Sequence, residues 1–228
     1  MKLLALDTAT ESCSAALLLE DRLLAREAEF TRGHAEHILP MIDELLGEAA
    51  LGLRALDAIA FGRGPGSFTG VRLAASLAQG LAFGAGLGVV PVSDLEALAQ
   101  RALDLEEDIG RVLVCSDARM SEVYWGCFER GAERLAVPAG PERVSPPGRV
   151  SVPEAWLEFA GAGRGFEAYP ELRALPGLRA RASLERLLPR AEEIARLAAP
   201  RVLRGALLPP QEALPVYLRD QVARPSLS

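Results

Sequence analysis

The sequence predicts an α/β protein of two subdomains, each a mixed sheet flanked by helices. Residues 1–104 form the first and 105–228 the second, with the final helix free to return to the first. Three observations carry this. Short apolar runs of strand type open the chain and then alternate with segments of helical period. The acidic cluster Asp104-Leu105-Glu106-Glu107-Asp108 interrupts that alternation, and a second strand-rich start follows it. The 228 residues are half apolar, 25% charged and 5% aromatic. Such a composition excludes a disordered tail and a fibrous repeat.

The elements follow in order. Residues 3–6 are a short apolar strand that ends in the polar turn Asp7-Thr8-Ala9-Thr10. Residues 13–19 and 23–30 are further strands, joined by a hairpin turn at Glu20-Asp21-Arg22. Over 34–50 the period becomes helical, with Ile38, Ile42, Leu45 and Ala49 on one face and Met41 beside them. Residues 56–61 return to strand, 62–70 are a glycine-dense turn, and 71–83 are an alanine-rich helix with Leu73, Leu77 and Leu81 four apart. A buried strand at 88–92 leads to Ser93-Asp94-Leu95-Glu96, a capping box that starts the next helix. After the acidic cluster, 112–116 and 123–128 are strands about a turn at 117–120, and 135–137 and 143–144 are short strands. Five prolines between 138 and 153 make a loop that leads into a helix at 154–159, followed by a turn at 160–163. Residues 191–203 are a helix interrupted or bent by Pro200.

Net charge is −6, which disfavours a basic nucleic-acid binder acting alone. Residues 1–110 hold 8 Lys/Arg against 17 Asp/Glu, a net of −9; residues 111–228 hold 17 against 14, a net of +3. Lys2 is the only lysine, which excludes a catalytic or phosphate-gripping lysine elsewhere. Cys13, Cys115 and Cys127 are odd in number and lack metal spacing, so they read as small buried thiols in a reducing compartment. The first apolar stretch is too short for a signal peptide, and no run approaches a membrane span of about 20 residues. A cytoplasmic protein is expected.

Four features are candidates for chemistry. Gly62-Arg63-Gly64-Pro65-Gly66-Ser67-Phe68-Thr69-Gly70 joins a strand to a helix, an arrangement that can aim backbone N–H groups at an anion. It lacks the lysine of a P-loop, has Thr69 where a dinucleotide loop needs its third glycine, and is not a nucleophile elbow. The other reading is a tight turn in which Ser67 or Thr69 caps the helix. His34-Ala35-Glu36-His37 places two imidazoles on one helical face, a geometry open to metal. These are the only histidines, and the plainer reading sets them at a helix start beside a partner surface; no metal is assigned. Asp7-Thr8-Ala9-Thr10 is an acid with hydroxyls in a strand turn, where actin and sugar-kinase architectures hold nucleotide phosphate. Asp7, Thr8, Gly64, Gly66 and Ser67 thus make a vestigial nucleotide-site set. The second-half counterpart, Asp117-Ala118-Arg119, has no glycine to admit phosphate, which argues against a working ATP-dependent kinase. Tyr217-Leu218-Arg219 is the fourth, an aromatic beside an arginine of the kind that covers a core edge.

Five ordered blocks resemble the landmarks of the TsaB family, also called YeaZ: Ala5-Leu6-Asp7-Thr8-Ala9-Thr10, His34-Ala35-Glu36-His37-Ile38-Leu39-Pro40-Met41-Ile42, Gly64-Pro65-Gly66-Ser67-Phe68-Thr69-Gly70-Val71-Arg72, Asp117-Ala118-Arg119-Met120-Ser121-Glu122-Val123-Tyr124-Trp125, and Pro215-Val216-Tyr217-Leu218-Arg219. The resemblance spans the chain. It implies two actin-like ATPase (ribonuclease H-like) subdomains. It also implies a part in forming threonylcarbamoyl-adenosine 3′ of the tRNA anticodon, as a non-catalytic partner of the transferase paralogue TsaD and beside the ATPase TsaE. tRNA would be met only through that complex. No catalytic residue, metal or resident cofactor is implied, though nucleotide at the partner interface stays open.

In such a family the first two helices form the partner surface. The residues here agree: Ile38, Leu39, Met41, Ile42, Leu45 and Leu46 cover more of helix 34–50 than one core stripe needs. Ala74, Ala75 and Ala78 would let another helix approach closely. The expected partner set is His34, His37, Ile38, Met41, Leu45, Phe68, Arg72, Ala74, Ala75 and Ala78, serving TsaD or a second copy of this chain. The alternatives are a small-molecule kinase or ATPase of the same fold, using Asp7 and the 62–70 loop, and a peptidase.

Overall fold

The computed structural model describes residues 1–20 and 22–219, so Asp21 of the expected hairpin turn lies outside the described residues. The first half runs β1 (Lys2–Asp7), β2 (Ser12–Leu19), β3 (Arg22–Glu29), α1 (His34–Glu48), β4 (Ala58–Gly62), α2 (Phe68–Ala85), β5 (Gly88–Val92) and α3 (Asp94–Leu105). Its sheet has the order β3-β2-β1-β4-β5. The first three strands are antiparallel, and β4 and β5 run parallel to β1.

The second half repeats the plan. It runs β6 (Arg111–Asp117), β7 (Val123–Arg130), β8 (Ala136–Pro138), β9 (Arg143–Ser145), β10 (Phe159–Ala162), α4 (Gly165–Ala168), β11 (Leu178–Arg179) and α5 (Ala191–Leu203). The order is β11-β10-β6-β7-β8, with β9 also paired to β7. Again the first strand is central, with antiparallel neighbours on one side and parallel ones on the other. The two sheets therefore share the ribonuclease H-like order of the actin-like architecture.

Layering explains why the central strands are apolar throughout rather than alternating. Leu3, Ala5, Ala16, Ala60 and Val92 of the first sheet, and Val112, Val114 and Phe128 of the second, meet α3 and α5 in one shared core. Leu4, Leu6, Leu17, Ile59 and Phe61 point to the opposite face of the first sheet, where α1 and α2 cover them. A third core on the far side of the second sheet holds Cys115, Trp125, Trp156 and Phe166. Edge strand β3 carries Arg22, Arg26, Glu27 and Glu29, and Arg26 bridges to Glu44 and Glu48 of α1.

Three local expectations are corrected. Residues 154–159 are not a helix: the chain turns at Pro153, whose carbonyl accepts from the Trp156 N–H at 2.9 Å, and the indole is buried. Residues 160–162 are not a turn but most of β10, the partner of β6. Its small residues hide the strand pattern; a Cβ at Gly161 would collide with the Phe166 ring that packs there. Helix α5 continues through Pro200 to Leu203 without interruption, since the missing N–H falls near its end. The capping box at 93–96 is half formed. Ser93 Oγ accepts from the Leu95 and Glu96 N–H groups, while the Glu96 carboxylate turns away to Arg201 at 2.8 and 2.9 Å.

Candidate functional site

A cleft of about 670 Å³ opens between the two halves, lined by the 8–11 turn, residues 30–35, the start of α2, residues 116–119 and the C-terminal segment 216–219. Its floor is the meeting of the first turn with the glycine loop. The Ser67 N–H donates to the Ala9 carbonyl at 2.7 Å, and Thr8 Oγ1 donates to the Gly70 carbonyl at 2.7 Å. A Cβ at Gly66 would strike the Ala9 carbonyl, and one at Gly70 the Thr8 carbonyl. The glycines therefore admit the chain's own backbone to the space where a phosphate cradle would need a ligand. Ser67 Oγ accepts from the Gly70 N–H at 3.1 Å and caps α2.

Asp7 does not face the cleft. It is fully buried, its Oδ1 accepts from the Ala9 N–H at 2.9 Å, and it lies against Asp94. Burial pushes its carboxyl up to about 6, against the pull of Asp94 and the Ala9 and Thr8 N–H groups. Asp94 is held well above the carboxylate range by burial and then by Asp7. Across the cleft, Asp117 is engaged by the Arg119 N–H at 2.8 Å and the Tyr169 hydroxyl at 3.1 Å. A magnesium nucleotide does not fit this arrangement, because the first carboxylate is turned inward and the loops are packed on each other. Gly64 is conformationally required: its φ is +98°, and a Cβ would sit 3.0 Å from the Val216 carbonyl.

The histidines make no metal pair. His34 Nε2 donates to the Thr10 carbonyl at 2.8 Å, and His37 stacks on Phe30 with centroids 4.0 Å apart. Among the described residues no three His, Cys, Asp or Glu side chains converge as a metal set, and no helix is long and apolar enough to cross a membrane.

The expected partner residues divide sharply. Ile38, Leu45, Ala74, Ala75 and Ala78 are buried in this chain's own core, so they cannot be the contact surface. The alanines let α2 lie close on its own sheet, not on another molecule's helix. His37 and Phe68 are exposed, while His34, Met41 and Arg72 are partly so. The outward face instead shows Leu39 and Phe83, 45% and 79% exposed, with open space beside Gly47, Gly80 and Gly84.

Residues 215–219 do more than cover a core edge. The Val216 N–H donates to the Arg63 carbonyl at 2.8 Å. Arg72 lies over the Phe68 ring at 3.2 Å and 5.0 Å from the Tyr217 ring. Arg219 reaches Glu122 and the Ala118 carbonyl of the second half. The segment thus straps the glycine loop to the β6–β7 turn. Sequence blocks 117–125 and 215–219 are each other's partners, a link that their separation in the chain conceals.

A family model described as TsaD, tRNA N6-adenosine threonylcarbamoyltransferase, matches residues 28–226. The Escherichia coli K12 tRNA threonylcarbamoyladenosine biosynthesis protein TsaB is 40% identical over 225 residues, 98% of this chain and 96% of that one. Among solved structures, YeaZ from Pseudomonas aeruginosa is similar at a TM-score of 0.86 and 47% identity, covering 95% of this chain and 99% of that one. A second Pseudomonas aeruginosa structure, an uncharacterized protein with similarity to peptidase YeaZ, matches at a TM-score of 0.86 and 48% identity over 96% and 99% of the two chains. With the five sequence blocks assembled on this doubled fold, the chain belongs to the TsaB (YeaZ) family.

Proposed function

We propose that this chain is a cytoplasmic, non-catalytic subunit in tRNA threonylcarbamoyladenosine biosynthesis, docking a TsaD paralogue through the outer face of α1 and α2. The observation that carries the reading is the position of that face. Both helices lie on the outside of the first sheet, and Leu39, Phe83 and the open glycines turn outward from it. Small residues on such a face let a partner helix come close, and aromatic anchors beside them supply contact area. The same face serves a second copy of this chain when the paralogue is absent, and TsaE and tRNA are met through the assembled complex.

The cleft supports the non-catalytic half of the reading. Asp7 is sealed from solvent, Ser67 Oγ is committed to capping α2, and the cysteine thiols are buried. The test is a reconstituted transfer assay with purified partners. Product should appear at full rate only when this chain is present. Full-rate product without it ends the proposal, as does turnover of ATP by the isolated chain.

A further inference from the structure

Beneath the cleft floor lie two acids that the docking reading does not use. Asp7 ends β1 and Asp94 opens α3, and they are 0% and 2% exposed. Gly62, the last residue of β4, sits against both. A Cβ there would lie 2.6 Å from Asp7 Oδ1 and 2.5 Å from Asp94 Oδ1, so glycine is what lets the two side chains meet. Asp7 Oδ1 takes the Ala9 N–H and Asp94 Oδ2 takes the Gly64 N–H. The remaining oxygens, Asp7 Oδ2 and Asp94 Oδ1, are buried and have no N–H or O–H donor among the described residues. The two carboxyls face each other across Gly62, since a single added carbon there would touch an oxygen of each.

Two bare carboxylates cannot share such a site, since each is desolvated and repelled by the other. A neutralising cation would have to come from the neighbours, and among the described residues these are committed. Arg63 pairs with Glu142 at 3.3 Å, and Arg201 pairs with Glu96. The His34 ring on α1 is turned to the Thr10 carbonyl, and from β2 the nearby ionisable group is the Cys13 thiol. Glu142 and Glu96 add only negative charge.

We infer that Asp94 and Asp7 hold one proton between them, Asp94 Oδ1–H donating to Asp7 Oδ2, and that this proton latches the glycine loop to the end of β1. One proton satisfies both orphaned oxygens. Through the Gly64 and Ala9 N–H groups it joins the two turns that form the cleft floor and lead into α2. Burial raises both acids, Asp7 to about 6 and Asp94 well above the ordinary range. The folded chain therefore binds more protons than the unfolded one once the pH exceeds about 4, where free Asp ionises. Stability then falls as pH rises, about tenfold in the folding equilibrium constant per pH unit for each extra proton held.

The test compares thermal unfolding of the wild type and Asp94→Asn from about pH 5 to about pH 9. The wild-type midpoint should fall as pH rises. In the variant, Asn Nδ2–H replaces the shared proton and its Oδ1 keeps the Gly64 N–H, so the slope should flatten. An equal slope in both chains overturns the latch. Infrared spectra of the wild-type chain with isotope-labelled aspartate decide it independently of the variant's folding. A protonated carboxyl band at neutral pH supports the shared proton, and fully ionised aspartate refutes it.

Discussion

The Arg219 guanidinium grips the Glu122 carboxylate, with Nε at 3.1 Å, while Nη2 takes the Ala118 carbonyl at 3.1 Å. Between those two anchors Arg119, Met120 and Ser121 adopt φ values of 61°, 55° and 59°. Left-handed backbone costs a side-chain-bearing residue about 1–2 kcal/mol, so three in succession persist only where the surroundings hold them. The Asp117 carboxylate and the hydrogen bonds between Ala118, Arg119 and Glu122 supply part of that hold, and the fork of Arg219 supplies the rest.

Replacing Arg219 by Ala should therefore cost about 1–3 kcal/mol, read as a lower denaturant midpoint, and should speed proteolytic cleavage near Met120. Arg219→Lys should recover little, because an ammonium cannot bridge carboxylate and carbonyl in one plane. Unchanged cleavage in Arg219→Ala would show that the turn holds itself.

Gly70 and Gly80 lie in the same helix and should respond in opposite directions. Gly80 has open space where a Cβ would go, so Gly80→Ala should stabilise by about 0.5–1 kcal/mol. At Gly70 the added carbon strikes the Thr8 carbonyl, and Gly70→Ala should cost about 3 kcal/mol. Matching melting curves would contradict the packed-turn account of the cleft floor.

Docking and folding are separable by the same logic. Leu45 is fully buried, so Leu45→Glu should cost about 4 kcal/mol or more and say nothing about partners. Gly80→Arg should leave the melting temperature unchanged or slightly higher, yet abolish co-elution with the TsaD paralogue. Retained co-elution would move the contact surface elsewhere.

The thiols should be silent in the native chain. Burial pushes Cys13 and Cys127 up to about 11 and Cys115 well above its ordinary range. At about pH 8 the first two are thiolate in only about one molecule in a thousand. A colorimetric thiol reagent should label the folded protein slowly and all three positions after denaturation.

Much of this was legible in the sequence. The order of strands and helices through residue 105 follows from period and capping, because both faces of the first sheet are covered at its centre and the inner strands read as continuous apolar runs. Strand β10 was not legible: Phe159-Ala160-Gly161-Ala162 carries no branched side chain, and its identity comes from Phe166 filling the space above Gly161. The apolar excess on α1 was visible, but not which part of it faces inward. Periodicity gives the width of a stripe, and only the sheet beneath decides that Ile38 and Leu45 are covered while Leu39 is not. The Asp7–Asp94 pairing lay beyond reach because it depends on β4 bringing a glycine between the ends of two other elements.

Helix α5 has a consequence for biosynthesis. It follows the second sheet in the chain yet packs beneath the first, and the Ala191 N–H donates to Ser14 Oγ at 2.9 Å across 177 positions. A nascent chain emerging from the ribosome must keep one side of its opening sheet wet until almost the last helix has been translated. Fragments ending before residue 191 should be sticky clients of chaperones, and maturation should be a late, all-at-once event rather than a half-by-half one.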